Sequence, residues 1–187
     1  MADLAQDNLR DKARDRARDT ARQIIRDYGI TQPPIKVEEI ARAQDVEIVR
    51  HRFEGPESGF ALRDGSRRII GLNTQTSRRR QRFTVAHELG HLLLHEGNKI
   101  IVDQAVLRVD LRNDVSGMGT DIEEIEANTF AAALLMPEKI VFDHVVKLVR
   151  ANGQITRESL IAELARIFDV SAEAMGYRLI NLGVLTA

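Results

Sequence analysis

The stretch Arg82-Phe83-Thr84-Val85-Ala86-His87-Glu88-Leu89-Gly90-His91-Leu92-Leu93-Leu94-His95 decides the fold of this chain. Its apolar residues predict a buried helix. His87 and His91 are four residues apart, so a helix places both imidazoles on one face, where they can meet at a single point. Glu88 follows His87 directly and can reach a water molecule held at that point. This spacing is typical of a zinc site in which the glutamate acts as a general base.

A simpler interpretation is two core histidines satisfied by hydrogen bonds, but burying two imidazoles and a carboxylate without a purpose is costly. A catalytic zinc site takes three protein ligands and leaves a fourth position for water. His95 lies another four residues along. However, eight residues span about 12 Å of helix, too far for His87 and His95 to share an ion. We expect His95 to lie at the helix end, where a donor stabilises the free carbonyls.

A second predicted helix lies downstream, between Asp121 and Pro137, and Asp121 is its expected N-cap. Two of its acids, Glu123 and Glu126, flank an apolar stripe. Glu126 lies too far into the helix for a role in its first turn, and the small residue after it lets the helix pack closely against the first. We therefore favour Glu126 over Glu123 as the third ligand. The stripe consists of Ala127, Phe130, Ala131, Leu134 and Leu135.

These two motifs, Arg82-Phe83-Thr84-x-Ala-His-Glu-x-Gly-His and Glu126-Ala127-Asn128-x-Phe130-Ala131 with Leu135-Met136-Pro137, closely resemble the ImmA/IrrE family of metallo-endopeptidases. The resemblance covers roughly residues 35–140. It implies a zincin-like metalloprotease domain with one Zn²⁺ per chain, bound by His87, His91 and Glu126, and Glu88 as catalytic base. It also implies a protein substrate, a helix-turn-helix repressor whose cleavage switches on stress-response or mobile-element genes. The segment between Gly97 and Asp121 carries no motif that we can place.

The amino-acid composition limits the classes of function that remain possible. The chain of 187 residues has a formal net charge of −1 and no cysteine. It therefore has no disulfides or thiolate ligands, and we expect no strong nucleic-acid or membrane binding. The N-terminus lacks the apolar core of a signal peptide, so we expect a cytoplasmic protein. We predict three parts: a charged helix over 1–30, a zinc metallopeptidase domain over 31–152, and a helical extension over 153–187 packed on the core.

The N-terminal helix and the segment after it form an α+β pattern. Asp–Arg pairs at 11/14, 15/18 and 19/22 predict a solvated, nearly neutral helix face. A short helix over 37–44, a strand over 46–49 and a hairpin over 59–73 then predict a small antiparallel-type sheet. Its edge strand, near residues 68–73, is expected to receive an extended substrate. The candidate substrate-binding residues there are Ile70, Leu72 and Asn73, with the neighbouring arginines Arg78, Arg79 and Arg80 either holding an acidic substrate segment or forming a solvated basic turn.

Beyond Pro137, a further helix carries His144, which is a candidate donor to the transition-state oxyanion or an ordinary, partly buried histidine. Two short helices capped by Thr156 and Ser171 resemble a helix-turn-helix. Residues 155–184 contain three arginines against four acids, which is a weak basis for DNA binding. Packing on the core is the favoured role. The alternative function is a non-catalytic regulator that binds DNA or a repressor through these helices.

Overall fold

The computed structural model describes residues 2–95, 100–103 and 118–186. These residues form a mixed α+β structure, which confirms the predicted class. The elements are α1 (Ala2–Asp27), α2 (Val37–Ala43), β1 (Val46–His51), β2 (Gly59–Asp64), β3 (Arg67–Asn73), α3 (Arg78–Leu94), β4 (Ile100–Asp103), α4 (Met118–Leu135), α5 (Glu138–Asn152), α6 (Arg157–Phe168) and α7 (Ala172–Asn181).

The strands form one sheet with the order β1-β3-β2-β4. β2 and β3 are the predicted antiparallel hairpin, and Gly65 takes a φ of +57° in their turn, a conformation that glycine adopts without strain. β1, however, pairs with β3 in parallel. The sheet is therefore mixed, and the antiparallel-type sheet predicted from the sequence is wrong in this respect. The sequence analysis also missed β4, which adds to the other side of β2. Its β-branched run over residues 100–102 was the available signal.

The prediction that residues 68–73 form an edge strand is wrong. β3 is hydrogen-bonded to β1 on one side and to β2 on the other, so its backbone cannot accept an added strand. Ile70, Leu72 and Asn73 are buried in this interior strand. Among the described strands, β1 and β4 form the two edges of the sheet.

α1 packs along α4 with one face and remains solvated on the other. The predicted pairs of the solvated face are formed, with N–O distances of 3.0 Å for Arg14–Asp11, 3.0 Å for Arg18–Asp15 and 3.2 Å for Arg22–Asp19. The opposite face is apolar and joins the core. Its buried residues are Ala13, Ala17, Ala21 and Ile24.

The C-terminal helices share the hydrophobic core of the rest of the chain, since Phe168 and Met175 belong to the same buried cluster as Leu89 and Phe130. The predicted caps are present: the Thr156 hydroxyl accepts from the Ser159 amide and the Ser171 hydroxyl from the Ala174 amide.

Arg178 of α7 is 7% exposed and donates from Nε to the Met136 carbonyl at 3.0 Å. Burial lowers the pKa of Arg178 to about 10. This arginine holds α7 against the end of α4. None of the helices in the described part of the chain combines the length and apolar character needed to cross a membrane.

Candidate metal centre

The helix α3 carries the three residues of the His-Glu-x-x-His motif into the interior. It begins after Ser77, whose hydroxyl accepts from the Arg80 amide at 3.3 Å. His87, Glu88 and His91 are buried, and Glu88 is completely inaccessible to solvent. The sequence therefore places the motif on a helix whose central turns are surrounded by protein.

The close approach of α4 depends on Gly90. A Cβ atom at this position would lie 3.0 Å from Phe130 Cδ1 and 3.2 Å from Ala127 Cα. A methyl group there would make contacts tighter than usual, so Phe130 or the backbone of α4 would have to move by a few tenths of an ångström. The glycine inside the motif thus allows α4 to bring its acidic residues to the imidazoles.

Two imidazoles and one carboxylate meet between α3 and α4. His87 Nε2 and His91 Nε2 are 3.0 Å apart. The Glu124 carboxylate places Oε1 3.1 Å from His91 Nε2 and Oε2 3.4 Å from His87 Nε2. One ligand atom from each residue lies within 4.8 Å of the others, so this group could hold a metal ion. Two imidazole nitrogens and a carboxylate oxygen are a common donor set for zinc.

Glu126, the acid favoured from the sequence, contacts other groups. Its Oε2 atom lies 2.9 Å from His95 Nε2, and its Oε1 atom accepts from Arg16 Nη1 at 3.3 Å. The structure therefore brings His87 and His91 together with Glu124, and places the Glu126 carboxylate beyond His95.

Sequence analysis missed Glu124 because, with Asp121 as the expected N-cap, this residue falls in the first turn of the second helix. α4 begins at Met118, so Asp121 lies within its first turn and not at the N-cap. Glu124 is consequently one turn deeper than expected. Its spacing to Ala127 and Ala131, which are both buried, was the signal that could have identified it. Residues at these intervals share one face of a helix.

Each imidazole also has a partner on its other nitrogen. His87 Nδ1 lies 3.1 Å from the amide oxygen of Asn128, and His91 Nδ1 lies 3.0 Å from His95 Nδ1. Because an amide oxygen only accepts, His87 Nδ1 carries the proton and Nε2 keeps its lone pair. Imidazole ligands of metals are usually oriented in this way. The residues present therefore fit a metal ion, since acceptor atoms converge on one point with their outer nitrogens hydrogen-bonded.

The electrostatics of the group are consistent with an ionised carboxylate. Burial alone would raise the pKa of Glu124, but the adjacent imidazoles of His87 and His91 outweigh it and lower that pKa when, in the absence of a metal ion, they carry a proton on Nε2. At His95, burial lowers the pKa, and the hydrogen bond to Glu126 opposes the shift only in part. A neutral His95 can accept at one ring nitrogen and donate at the other.

His95 occupies the C-cap position of α3, the end of the helix where we expected it. Its side chain does not bond the free carbonyls, however. Arginines from other elements do so: Arg16 donates to the Leu94 carbonyl at 2.6 Å, and Arg63 donates to the carbonyls of Leu92 and His95. Cations at this end of a helix are favoured by its dipole.

The basic segment at the start of α3 surrounds Asp169. N–O distances to its carboxylate are 3.3 Å from Arg78, 3.4 Å from Arg79 and 3.5 Å from Arg82. Asp169 ends α6 with a φ of +53°. Its negative charge offsets the unfavourable position of several arginines at a helix N-terminus. Arg80 differs from the others because its Nε donates to the Ser58 hydroxyl at 2.8 Å.

His144, the oxyanion candidate, lies on α5 and contacts the C-terminal helices. Its Nδ1 donates to the Ile140 carbonyl at 2.8 Å, and its ring meets the Phe168 ring edge to face, with centroids 5.6 Å apart. These contacts are those of a packed histidine.

Comparison with known proteins identifies the family. The profile of peptidase M78, the IrrE N-terminal-like domain, matches residues 41–180. The chain belongs to this family of metallopeptidases. The resemblance recognised in the sequence is thereby confirmed.

Individual relatives agree with this assignment. The radiation response metalloprotease IrrE of Deinococcus deserti is 33% identical over 144 residues, which cover 73% of this chain and 47% of that protein. Its counterpart in Deinococcus radiodurans is 31% identical over 117 residues, covering 62% of this chain and 32% of that protein. An immunity region protein of Bacillus phage phi105 is 25% identical over 150 residues, which cover 80% of this chain and 86% of that protein. The chain thus spans about half the length of the first relative and about a third of the length of the second.

Proposed function

We propose that this chain is a zinc-dependent endopeptidase that cleaves a helix-turn-helix transcriptional repressor. The observation that carries the proposal is the meeting of His87 Nε2 and His91 Nε2 of α3 with the Glu124 carboxylate of α4, all within 4.8 Å, while α3 also carries the buried Glu88. A structural zinc site would need no such glutamate, whereas peptide hydrolysis requires a general base.

In this proposal the ligands of one Zn²⁺ are His87, His91 and Glu124. Glu124 takes the place that the sequence gave to Glu126, because its oxygens lie 3.1 and 3.4 Å from the two Nε2 atoms. The carboxylate of Glu126 is already engaged by His95 and Arg16. A zincin-like catalytic unit would then consist of the sheet, α3 and α4, with residues 1–30 and 153–187 flanking the domain over 31–152.

Zinc bound here would acidify a water molecule and polarise the scissile carbonyl. Glu88 then accepts the proton of the attacking water and delivers it to the leaving amine. Asn128 and His95 hold the two ligand imidazoles so that their Nε2 lone pairs point inward. Glu88 is fully buried and the two imidazoles nearly so, which limits the access of bulk water to the base.

The proposal of a repressor as substrate rests on the family resemblance, and the names of two relatives support a regulatory role. One is named as a radiation response metalloprotease and another as a phage immunity region protein, and we take both names to indicate the regulation of genes. Cleavage of a repressor would switch on such genes in one irreversible step. The arginines Arg78, Arg79 and Arg80 remain candidates for contact with an acidic substrate segment, and Arg78 is the most exposed of the arginines around Asp169.

Binding of DNA by the C-terminal helices is less well supported. Arg178, the basic residue of α7, is buried against the Met136 carbonyl and so is not available to phosphates. On α6, Arg166 pairs with Glu163 at 3.0 Å. With the net charge of −1, this leaves little basic surface on the pair of helices.

The experiment compares wild type with Glu88→Gln. Both are incubated with candidate repressors encoded near the gene, and products are identified by intact-mass measurement, with zinc content measured in parallel. We expect one zinc per chain in both proteins and cleavage by wild type alone, because Glu88 serves as base and not as ligand. Glu173→Gln, which removes an exposed carboxylate of α7, is the matched control and should cleave normally. Cleavage by Glu88→Gln, or loss of its zinc, would refute the assignment.

A further inference from the structure

The two ligand imidazoles of the proposed zinc site are held in different ways. His87 Nδ1 lies 3.1 Å from the amide oxygen of Asn128, which only accepts and so fixes the tautomer of His87 without any further group. His91 Nδ1 meets another imidazole, that of His95, at 3.0 Å. A neutral imidazole can hold its proton on either nitrogen, so His95 orients His91 only if something fixes the tautomer of His95.

Glu126 provides that fixation. Its Oε2 atom lies 2.9 Å from His95 Nε2, and the side chains of both residues are only 6% exposed. An ionised carboxylate accepts only, so the proton of His95 lies on Nε2 and its Nδ1 accepts from His91 Nδ1–H. His91 then presents the lone pair of Nε2 to the metal centre. Every proton along this path has one consistent position.

The path ends on α1, at Arg16. Arg16 Nη1 donates to Glu126 Oε1 at 3.3 Å, and Nη2 donates to the Leu94 carbonyl at 2.6 Å. One guanidinium group thus joins the Glu126 carboxylate to the end of α3, the helix that carries His91. Arg16 lies outside residues 41–180, the range matched by the family profile.

The sequence of α1 explains why Arg16 contacts α4 and not an acid of its own helix. Arg14 and Arg18 pair with acids three residues before them, Asp11 and Asp15. Ala13 stands three residues before Arg16, so Arg16 lacks the acid that its neighbours have at this spacing. It extends to α4 instead.

We propose that Arg16 is a positioning residue of the metal centre, acting on His91 through Glu126 and His95. The inference rests on the proposed zinc site. In this inference α1 contributes a residue that positions a zinc ligand, in addition to packing against α4. Outer partners of ligand histidines typically change metal affinity by about 10- to 100-fold. The Arg16 side chain is 58% exposed and is separated from His91 by two residues, Glu126 and His95, so solvent weakens its effect on His91.

The test measures zinc affinity by competition with a chromophoric chelator, using the full chain. We expect Arg16→Ala to bind zinc about three- to tenfold more weakly than wild type. Arg14→Ala is the matched control, since it removes the same charge from the same helix but only a surface pair with Asp11. Arg16→Lys should recover part of the affinity, because an ammonium group offers one point charge where the guanidinium bridges two acceptors. Melting of the metal-free variants separates a loss of folding from a loss of positioning.

A double-mutant cycle with His95→Ala decides whether Arg16 acts through the proposed path. Once His95 is removed, Arg16→Ala should cost little further zinc affinity. Equal losses in the presence and absence of His95 would overturn the inference, as would an Arg16→Ala variant that binds zinc like Arg14→Ala. In both cases wild type still binds zinc, so the proposed function survives. A wild-type chain that binds no zinc would refute the function and this inference together.

Discussion

The two ends of α3 carry polar networks of opposite character. At the N-terminal end, Asp169 is surrounded by arginines of which Arg78 is 82% and Arg79 46% exposed. Toward the C-terminal end, the side chain of His91 is 1% exposed, and those of His95 and Glu126 are 6% exposed. Both networks join α3 to helices distant in sequence.

The comparison shows that burial, more than the number of charges, distinguishes a cluster of ion pairs that only stabilises helix packing from a functional site. Exposed ion pairs are screened by water and each contributes little, so the Asp169 cluster serves mainly to hold the α6–α7 turn on α3. Ionisable groups enclosed by protein are costly unless their geometry is fixed, and such clusters concentrate at functional sites. The cluster with fewer formal charges is therefore the one to which we assign chemistry.

The largest expected effect concerns the third ligand. Glu124→Ala should lower zinc affinity by more than about 100-fold, because a ligand is lost directly. Glu126→Ala should lower it by about 10- to 100-fold, the range for an outer partner of a ligand histidine. Glu123→Ala is the neighbouring control and should bind zinc nearly as wild type does.

Equilibrium competition on purified variants ranks these three effects. If Glu126→Ala loses the metal while Glu124→Ala keeps it, Glu126 is the third ligand, as the sequence indicated, and is not an outer partner of His95.

A moderate effect is expected at the other end of α3. Asp169→Asn should lower the free energy of unfolding by about 1–2 kcal/mol and leave zinc affinity unchanged, since the side chain of Arg82 is only 11% exposed and loses its counter-charge. Asparagine tolerates the positive φ of this position, so the change isolates the charge.

Urea unfolding of the metal-free chain measures this loss. Glu163→Gln, which breaks the exposed pair with Arg166, is the control and should cost less than about 1 kcal/mol. A fall in zinc affinity in Asp169→Asn would show that the two networks are coupled along α3, against our comparison.

The smallest effect is expected from Arg78→Ala. Its guanidinium is 82% exposed, so the free energy of unfolding should change by less than about 0.5 kcal/mol and zinc affinity should not change. Any effect should appear in cleavage of the repressor, as a higher KM that depends on salt, because an exposed cation attracts an acidic segment through screened charge. Identical KM values for wild type and variant at low salt would assign the basic turn a purely structural role.

Local patterns in the sequence determined much of this structure. The meeting of His87 and His91 on one helix face, the caps at Thr156 and Ser171 and the hairpin of β2 and β3 were all predicted, because each depends on residues close together in the chain. The motif around Glu88 and the second motif from Glu126 to Pro137 together identified the family, which the profile match confirmed.

Other features depended on how distant elements meet. The strand β3 is interior because β1, which precedes the hairpin, pairs with it in parallel on the side away from β2, which no local pattern indicates. Asp169 and Arg16 reach α3 from opposite ends of the sequence. The choice between Glu124 and Glu126 is decided by the rotation of α4 against α3. Successive helical residues are about 100° apart, so two positions separate carboxylates by more than half a turn. Motif spacing alone does not fix that rotation, whereas the packing of Ala127 against Gly90 does.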